Sequence, residues 1–238
     1  MAVFLPELTQ QLSFPPLSQA LHEPDGLLAM GGDLSPARLL AAYHQGIFPW
    51  FCQGDPILWW SPSVRALFEP NQLQLNRTLR KQCRRMGYQF SVNQAFQRVV
   101  AGCAAPRARQ SDTWIVPQMQ QAYYQLHLQG HAHSIEVWQQ DSLVGGLYGV
   151  CIGQLFCGES MFNRQPGTAR LALIALQQQL QQHGGGWIDC QLPNDYLNSL
   201  GVLHMPRAHY LRLLQPLATG SIHPACWQVQ PLQLRTDD

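Results

Sequence analysis

The chain has 238 residues, and its 15 Lys and Arg against 14 Asp and Glu leave a formal charge of +1. Only 12% of the residues are charged, about half the usual share, whereas 46% are hydrophobic, which excludes an intrinsically disordered chain. No apolar run approaches the roughly 18 residues of a membrane span, and the N-terminal segment lacks the pattern of a signal peptide, so we expect a soluble cytoplasmic protein.

The cysteines and the lysine content exclude further classes. The 7 cysteines form no Cys-x-x-Cys pair and leave one unpaired, which argues against a disulfide framework and a zinc ribbon. His131 and His133 lack a third ligand at a suitable spacing. Lys81 is the only lysine, so the chain has no P-loop and little scope for a Schiff-base cofactor. We therefore expect neither a metal nor a cofactor.

Residues 1–63 are predicted to form a small N-terminal domain. Nine of the 17 prolines lie within the first 70 residues, and this density forbids long helices and central strands. One helix is well marked, with Ser35 as its N-cap, Pro36 at its first position and Gly46 at its end. Short strands and turns are expected around it.

Residues 64–238 show a regular α/β pattern. Caps and apolar spacing predict helices at 76–86, 94–101, 117–128, 168–182, 195–200 and 207–215. Alternation and turn residues predict strands at 132–140, 143–152, 154–158 and 187–191. Three strands with short links form an antiparallel meander, and a strand, helix and strand crossover adds a parallel partner. The fold class is therefore α/β (α+β) with a mixed sheet.

The predicted strand at 187–191 carries two polar side chains. Its period-two geometry places Asp189 and Gln191 on one face, while their neighbours are apolar. A buried carboxylate is costly unless something binds it. Asp189 is therefore either a satisfied core acid that accepts bonds from backbone amides near Asn194, or part of a functional site. The sequence leaves both interpretations open.

A second carboxylate, Glu159, ends the predicted strand at 154–158. Taken alone, it is an ordinary N-cap or loop acid. Together with Asp189 it places negative charge at two strand ends on the same side of a sheet. Such a place suits the binding of a cationic substrate and the deprotonation of an amine, so the pair is a first hypothesis for an active site.

One predicted helix carries a concentrated positive face. Its basic residues follow the i, i+3, i+4, i+7, i+8 spacing of one helical side, and no carboxylate lies within residues 71–111 to neutralise them. The alternative is a solvated helix face. The absence of nearby carboxylates favours a phosphate backbone as the partner. These residues are Arg77, Arg80, Lys81, Arg84 and Arg85.

Six segments of the chain resemble the leucyl/phenylalanyl-tRNA–protein transferase family. They are GLLAMGGDL at 26–34, GIFPWF at 46–51, LWWSP at 58–62, GHAHSIE at 130–136, FCGESMF at 156–162 and IDCQ at 188–191. The resemblance implies an enzyme that transfers leucine or phenylalanine from charged tRNA to proteins beginning with arginine or lysine, which marks them for degradation by the N-end rule. It also implies that residues 64–238 form an acetyltransferase-like (GNAT) domain. We expect a monomer without membrane contact.

The resemblance also implies roles for particular residues. Asp189 and Gln191 match the proposed catalytic pair of the family, and Glu159 matches its acidic substrate-site residue. We expect Asp189 to hold the Gln191 amide by a hydrogen bond, so that the amide oxygen faces the incoming amine, and we expect the basic helix face to bind tRNA. An apolar pocket for the transferred side chain is implied at Trp50, Trp114, Leu147, Phe156, Leu176, Leu180 and Ile188.

Two other functions remain open at this stage. Arg164, Gly167 and Ala169, between a strand and a helix, also fit the pyrophosphate loop of an acetyl-CoA-dependent N-acyltransferase, although Pro166 removes one donor amide. A non-catalytic RNA-binding module would use the basic helix face alone. Such a module has no need for a buried Asp189 and Gln191, and this disfavours it.

Overall fold

A computed structural model describes residues 5–106 and 113–235; the first four residues of the predicted N-terminal domain and the last three of the chain lie outside them. No helix in this part of the chain is long and apolar enough to cross a membrane. Its α-helices are α1 (Pro36–Tyr43), α2 (Arg77–Met86), α3 (Phe96–Ala104), α4 (Pro117–Leu128), α5 (Thr168–Gln182), α6 (Asp195–Ser199) and α7 (Arg207–Thr219). Short 3-10 helices lie at Leu17–Gln19 and Pro224–Trp227.

The proline-rich N-terminal segment forms a small four-stranded sheet in the order β1-β2-β4-β3. Strands β1 and β2 are parallel, and the other pairs are antiparallel. Trp59 of β4 is fully buried and donates from its indole nitrogen to the carbonyl oxygen of Gly31 (2.9 Å). The strands are β1 (Glu7–Leu8), β2 (Leu27–Gly31), β3 (Phe48–Pro49) and β4 (Leu58–Trp60).

The rest of the chain builds an eight-stranded mixed sheet in the order β11-β5-β10-β9-β8-β7-β6-β12. Only the β9–β10 pair is parallel, and α5 is the crossover that joins these two strands. The strands are β5 (Val64–Phe68), β6 (Tyr88–Val92), β7 (Ala132–Gln139), β8 (Ser142–Ile152), β9 (Leu155–Asn163), β10 (Trp187–Asp189), β11 (Leu203–Pro206) and β12 (Gln230–Leu232). The predicted meander and parallel crossover are confirmed.

Capping residues begin α1 and α2 where the sequence predicts, whereas α1 ends at Tyr43, before the predicted Gly46, and α3 and α7 extend beyond their predicted ends. The Ser35 hydroxyl accepts a bond from the backbone nitrogen of Arg38 and begins α1. Asn76 accepts from the nitrogen of Leu79 and begins α2. Helix α2 ends at Gly87, which adopts the left-handed conformation that a residue without Cβ tolerates. The predicted bounds of α4 and α5 are also those observed.

The strands near the end of the crossover differ from the predictions. Strand β9 continues to Asn163 instead of ending at 158, and β10 stops at Asp189 instead of 191. Strands β5, β6, β11 and β12 were not predicted. Since β9 runs on while β10 stops, the two parallel strands are no longer paired beyond Cys157 and Asp189. This separation opens the sheet and positions the candidate site.

Candidate active site

A cavity of about 670 Å³ lies where β9 and β10 part. Its walls come from β9, the cavity side of α5, the segment after β10, and α6. The apolar lining includes Leu147, Phe156, Leu173, Leu176 and Ile188. The polar lining includes Glu159, Ser160, Arg170, Gln191, Asn194 and Tyr196. The lining therefore combines an apolar surface with hydrogen-bonding groups.

Asp189 is fully buried at the end of β10 and does not line the cavity. Arg65 of β5 donates to it from Nε (3.2 Å to Oδ1) and from Nη2 (2.5 Å to Oδ2). The Tyr210 hydroxyl donates to Oδ2 (2.8 Å), and the backbone nitrogen of Gln191 donates to Oδ1 (2.9 Å). A carboxylate has about four lone-pair sites, so these donors fill it. Asp189 thus fixes the surrounding chain and has no acceptor site left for a substrate.

Gln191 is oriented differently from the sequence-based expectation. It lies outside β10 and has a φ of 56°, so strand alternation no longer sets the direction of its side chain. Its Nε2 donates to Oε1 of Glu159 (3.1 Å), and Asp189 holds only its backbone. The expected bond from Asp189 to the Gln191 amide is therefore wrong. Within the described ranges, no donor reaches the Gln191 Oε1, which leaves this oxygen available at the cavity.

Glu159 lies inside β9, not at a strand end as the sequence suggested. The β8–β9 register shifts by one residue between Tyr148 and Gly149, whose partners are Ser160 and Gly158. Glu159 is thus the extra residue of a β-bulge. Bulges re-aim side chains and are enriched beside active sites, and this one accompanies a carboxylate that lines the cavity.

Two tyrosines form a hydrogen-bonded chain that ends at the Glu159 carboxylate. The Tyr123 hydroxyl donates to Oε2 of Glu159 (2.5 Å), and the Tyr43 and Tyr123 hydroxyls bond each other (2.9 Å). Burial, and then the nearby Glu159 charge, raise the pKa of both tyrosines well above the ordinary value, so they stay protonated. Burial also raises the pKa of Glu159 to about 7, although the bond from Tyr123 favours its ionised form. Glu159 therefore titrates near neutral pH.

The structure gathers four of the seven expected pocket residues around the cavity: Leu147, Phe156, Leu176 and Ile188. Leu180 does not line it, but is fully buried in the same apolar cluster as Phe156 and Leu176. Trp50 and Trp114 are also outside the lining. Trp50 follows β3 in the small sheet, where it is 40% exposed and its ring contacts Trp60 edge to face. Trp114 packs against the other apolar cluster.

The predicted basic face lies on α2, whose first turns border the same cavity through Leu79. Arg80 is partly buried and lines a separate polar cavity with Gln178 and Arg235. Leu79 is buried. Within residues 5–106 and 113–235, no carboxylate forms an ion pair with the four exposed cations of this helix, Arg77, Lys81, Arg84 and Arg85.

Arg65, which was not a candidate from the sequence, lies at the centre of the Asp189 network. Its Nη1 donates to the carbonyl oxygen of Gly46 (2.8 Å), and its guanidinium lies over the rings of Phe48 (5.0 Å) and Tyr210 (4.5 Å). Arg65 is 1% exposed and thus joins the small sheet to the large one beside the cavity. The signal was present, because Arg65 interrupts the apolar run 64–68 after Pro62.

The geometry brings together two groups that suit a reaction of an amine. The free Gln191 oxygen accepts a hydrogen, and the Glu159 carboxylate polarises the same amide through Nε2. The apolar lining beside them accommodates a hydrophobic side chain. In the part of the chain that the structure describes, no three His, Cys, Asp or Glu side chains are grouped so as to hold a metal ion.

Comparisons with known proteins agree on one family. The family model described as leucyl/phenylalanyl-tRNA protein transferase matches residues 67–215, and the model of its N-terminal domain matches residues 32–63. The chain is 54% identical to the leucyl/phenylalanyl-tRNA–protein transferase of Shewanella piezotolerans over 217 residues, 91% of this chain and 92% of the relative. It is 52% identical to that of Tolumonas auensis over 234 residues, 98% and 100% of the two chains.

The comparison with solved structures gives more distant matches. The structure of L-PGS from Bacillus licheniformis aligns with a TM-score of 0.42 and 9% sequence identity, covering 83% of this chain and 63% of that one.

Proposed function

The chain belongs to the leucyl/phenylalanyl-tRNA–protein transferase family, and from this premise we propose that its cavity transfers leucine or phenylalanine to the N-terminal arginine or lysine of proteins. The chain is an aminoacyltransferase that acts on aminoacyl-tRNA and protein N-termini. The product would be marked for degradation by the N-end rule. Since charged tRNA is a cytoplasmic substrate, we place the reaction in the cytoplasm, with the enzyme as a monomer.

One observation carries the proposal for the reacting centre. The Gln191 Oε1 is a free acceptor at the cavity edge, beside Glu159 and next to an apolar lining. An aminoacyl ester bound with its side chain against Phe156, Leu176 and Ile188 would present its carbonyl carbon near this oxygen. The protein then contributes position and hydrogen bonding to two reactants that already carry the necessary reactivity.

The proposed reaction is an aminolysis. The lone pair of the α-amine attacks the ester carbonyl, a C–N bond forms, the C–O bond to the ribose breaks, and the proton lost by the amine ends on the ribose oxygen. Gln191 accepts a hydrogen bond from the amine and orients it, because a neutral amide is too weak a base to remove the proton. The ester is already activated, so the step requires no ATP.

The two carboxylates have different roles in this proposal. Asp189 is a positioning residue, because it holds the Gln191 backbone and is itself saturated by Arg65 and Tyr210. Glu159 polarises the Gln191 amide and, when ionised, attracts the basic side chain of the acceptor. This explains a preference for arginine or lysine as the first residue.

The pocket for the transferred side chain is proposed to be the apolar part of the cavity lining. Its residues in contact with the side chain would be Leu147, Phe156, Leu176 and Ile188, with Leu180 behind them. We exclude Trp50 and Trp114 from this contact, because neither lines the cavity. Leucine, phenylalanine and methionine are flexible or flat apolar side chains that such a wall accepts.

We propose the same division of the chain that the composition indicates. Residues 1–63 carry the four-stranded sheet, and residues 64–238 carry the eight-stranded sheet. A meander followed by a helical crossover to a parallel strand that then separates is the arrangement of an acetyltransferase-like (GNAT) domain. The support is the β9–α5–β10 unit and the cavity between its strands.

The test is single-turnover transfer of labelled leucine from charged tRNA to an Arg-initiated peptide. We expect transfer by the wild type, and a decrease of roughly 10²–10⁴-fold in the rate for Asp189→Asn with little change in tRNA affinity. Wild-type speed in Asp189→Asn would remove this residue from the mechanism. A parallel reaction with acetyl-CoA tests the rival function: acetylation of the peptide without leucine transfer would replace the proposal by an N-acyltransferase.

A further inference from the structure

Arg170 lies in the first turn of α5 and lines the cavity. Its Nε is buried and has no hydrogen-bond partner. Leaving a buried donor of a charged group without an acceptor is costly, so such a group points to a ligand. Arg170 was not among the candidate residues from the sequence.

No carboxylate neutralises Arg170 in the described ranges, where the ion pairs are Arg38 with Asp33 and Arg65 with Asp189. The carboxylate that lines the same cavity, Glu159, accepts from Tyr123 and Gln191 instead. The positive charge of Arg170 therefore remains available at the cavity wall.

Arg170 lies on the same side of α5 as the apolar residues of the pocket. Arg170, Leu173 and Leu176 are spaced by three residues and all line the cavity, so they lie along one side of the helix. Six residues of helix rise about 9 Å. The cavity thus changes from an apolar surface at Leu176 to a cationic one at the beginning of α5, over about the length of one nucleoside.

The beginning of α5 also adjoins the basic helix α2. The Gln82 side chain donates from Nε2 to the carbonyl oxygen of Pro166 (2.6 Å), and Leu79 lines the cavity together with Gly167. A strand of nucleic acid that leaves the cavity past Arg170 therefore meets α2, whose exposed side carries Arg77, Lys81, Arg84 and Arg85.

We propose that Arg170 binds the phosphodiester on the 5′ side of the terminal adenosine of aminoacyl-tRNA. This rests on the proposed function, in which the 3′-linked aminoacyl group lies against the apolar wall. The 5′-phosphate is on the other side of the ribose and reaches the cationic end of the cavity. A guanidinium is the side chain that pairs with phosphate through two parallel bonds.

The experiment compares the affinities for a ligand that has the phosphodiester and for one that lacks it. It measures, by calorimetry, the Kd of a non-hydrolysable 3′-leucylamido-adenosine and of the cytidylyl-adenosine dinucleotide that carries the same leucylamide. The proteins are the wild type, Arg170→Gln, Arg170→Lys and the control Arg212→Gln, which changes an exposed arginine of α7 outside the cavity lining. Thermal unfolding of each variant verifies that it is folded.

We expect Arg170→Gln to lose roughly tenfold to 100-fold in affinity for the dinucleotide and less than about twofold for the nucleoside. Arg170→Lys should recover part of the loss, and Arg212→Gln should bind both ligands like the wild type. Equal losses for both ligands, or no loss for either, would overturn the assignment. Failure of the proposed function would be seen in a different measurement, because it would appear as a wild type that transfers no leucine from charged tRNA. The binding comparison does not measure transfer, so the two failures are distinguishable.

Discussion

The cavity and the exposed side of α2 differ in the interactions that they offer to a ligand. At the cavity, Gln191 donates to Glu159, and behind the lining the buried Asp189 receives four donors. On α2, the exposed cations Arg77, Lys81, Arg84 and Arg85 have no carboxylate partner within the described ranges. The cavity therefore offers groups in a defined geometry, whereas α2 offers charge on exposed side chains.

Under the proposed function, this difference would separate two tasks of one enzyme. A reaction centre requires atoms held in place, and small displacements are expensive. Binding a phosphate backbone requires positive charge that is only approximately positioned, and the affinity decreases as the salt concentration rises. Changes to the apolar and hydrogen-bonding groups of the cavity should therefore have large effects that salt does not alter, while changes on α2 should have small effects that salt controls.

The largest expected effect follows from Arg65→Met. This change leaves the buried Asp189 carboxylate without its ionic partner, and breaking a buried pair in this way costs about 3–5 kcal/mol of unfolding free energy. Urea denaturation followed by circular dichroism measures it. The matched control is Arg84→Met on the exposed side of α2, which should change stability by less than about 0.5 kcal/mol. Equal stability of the two variants would contradict the contrast.

The second effect concerns selection of the transferred side chain. An apolar wall discriminates one methylene by about 1–3 kcal/mol, so valine should be transferred roughly 10- to 200-fold more slowly than leucine. Aspartate should scarcely be transferred, because its carboxylate would be desolvated against Phe156 and Ile188. Single-turnover rates with the corresponding charged tRNAs measure this order, and salt should leave the ratios unchanged. Equal rates for leucine and aspartate would eliminate the apolar pocket.

The third effect is a pH dependence of acceptor binding. Burial raises the pKa of Glu159 to about 7, so the carboxyl is neutral below this pH and negative above it. A cationic acceptor should therefore bind more tightly as the pH rises, by about tenfold between about pH 6 and about pH 8. The probe is the Ki of an Arg-initiated peptide that lacks the α-amine, because the α-amine titrates in the same range.

The variant Glu159→Gln provides the control for this titration. It keeps an amide of similar shape at the bulge in β9 and removes the titrating group. Its Ki should stay constant across the same pH range, at a value no tighter than that of the wild type at low pH. A wild-type Ki that stays flat, or a slope that survives in Glu159→Gln, would assign the acceptor preference to another group.

Local signals made much of the fold predictable. Ser35, Asn76 and Gly87 act through their own backbone neighbours, so the sequence located the beginning of α1 and both ends of α2. The meander and the crossover followed from short turns and a 15-residue helix. Strand β5 was missed because its neighbours β10 and β11 are far away in the chain, and short apolar runs are ambiguous until their partners are known.

The site was predictable in composition but not in geometry. The sequence and the family resemblance indicated Asp189, Gln191 and Glu159 as candidates, which the structure brings together, yet the bonds among them were not predicted. The bulge at Glu159 depends on the register between β8 and β9, and the left-handed φ of Gln191 depends on the chain leaving β10. Arg65 pairs with Asp189 across 124 residues of sequence, and no local pattern reports such a distance.

The smallest effect is expected on α2. Each single change of Arg77, Lys81, Arg84 or Arg85 to Gln should weaken tRNA binding by only about two- to fourfold at moderate salt, and equally for different tRNAs, because a phosphate contact carries no sequence information. The quadruple variant should reduce the slope of log Kd against log salt by about 3, since each contact contributes about 0.7–0.9. Filter binding over a salt series measures both quantities, with Arg212→Gln on α7 as the control for a lost surface charge.

Leucine should still be preferred over valine by the quadruple variant, because the apolar lining of the cavity is intact. An unchanged slope would make this helix side a solvated surface, and a changed leucine preference would mean that charge and shape are not separated in this enzyme.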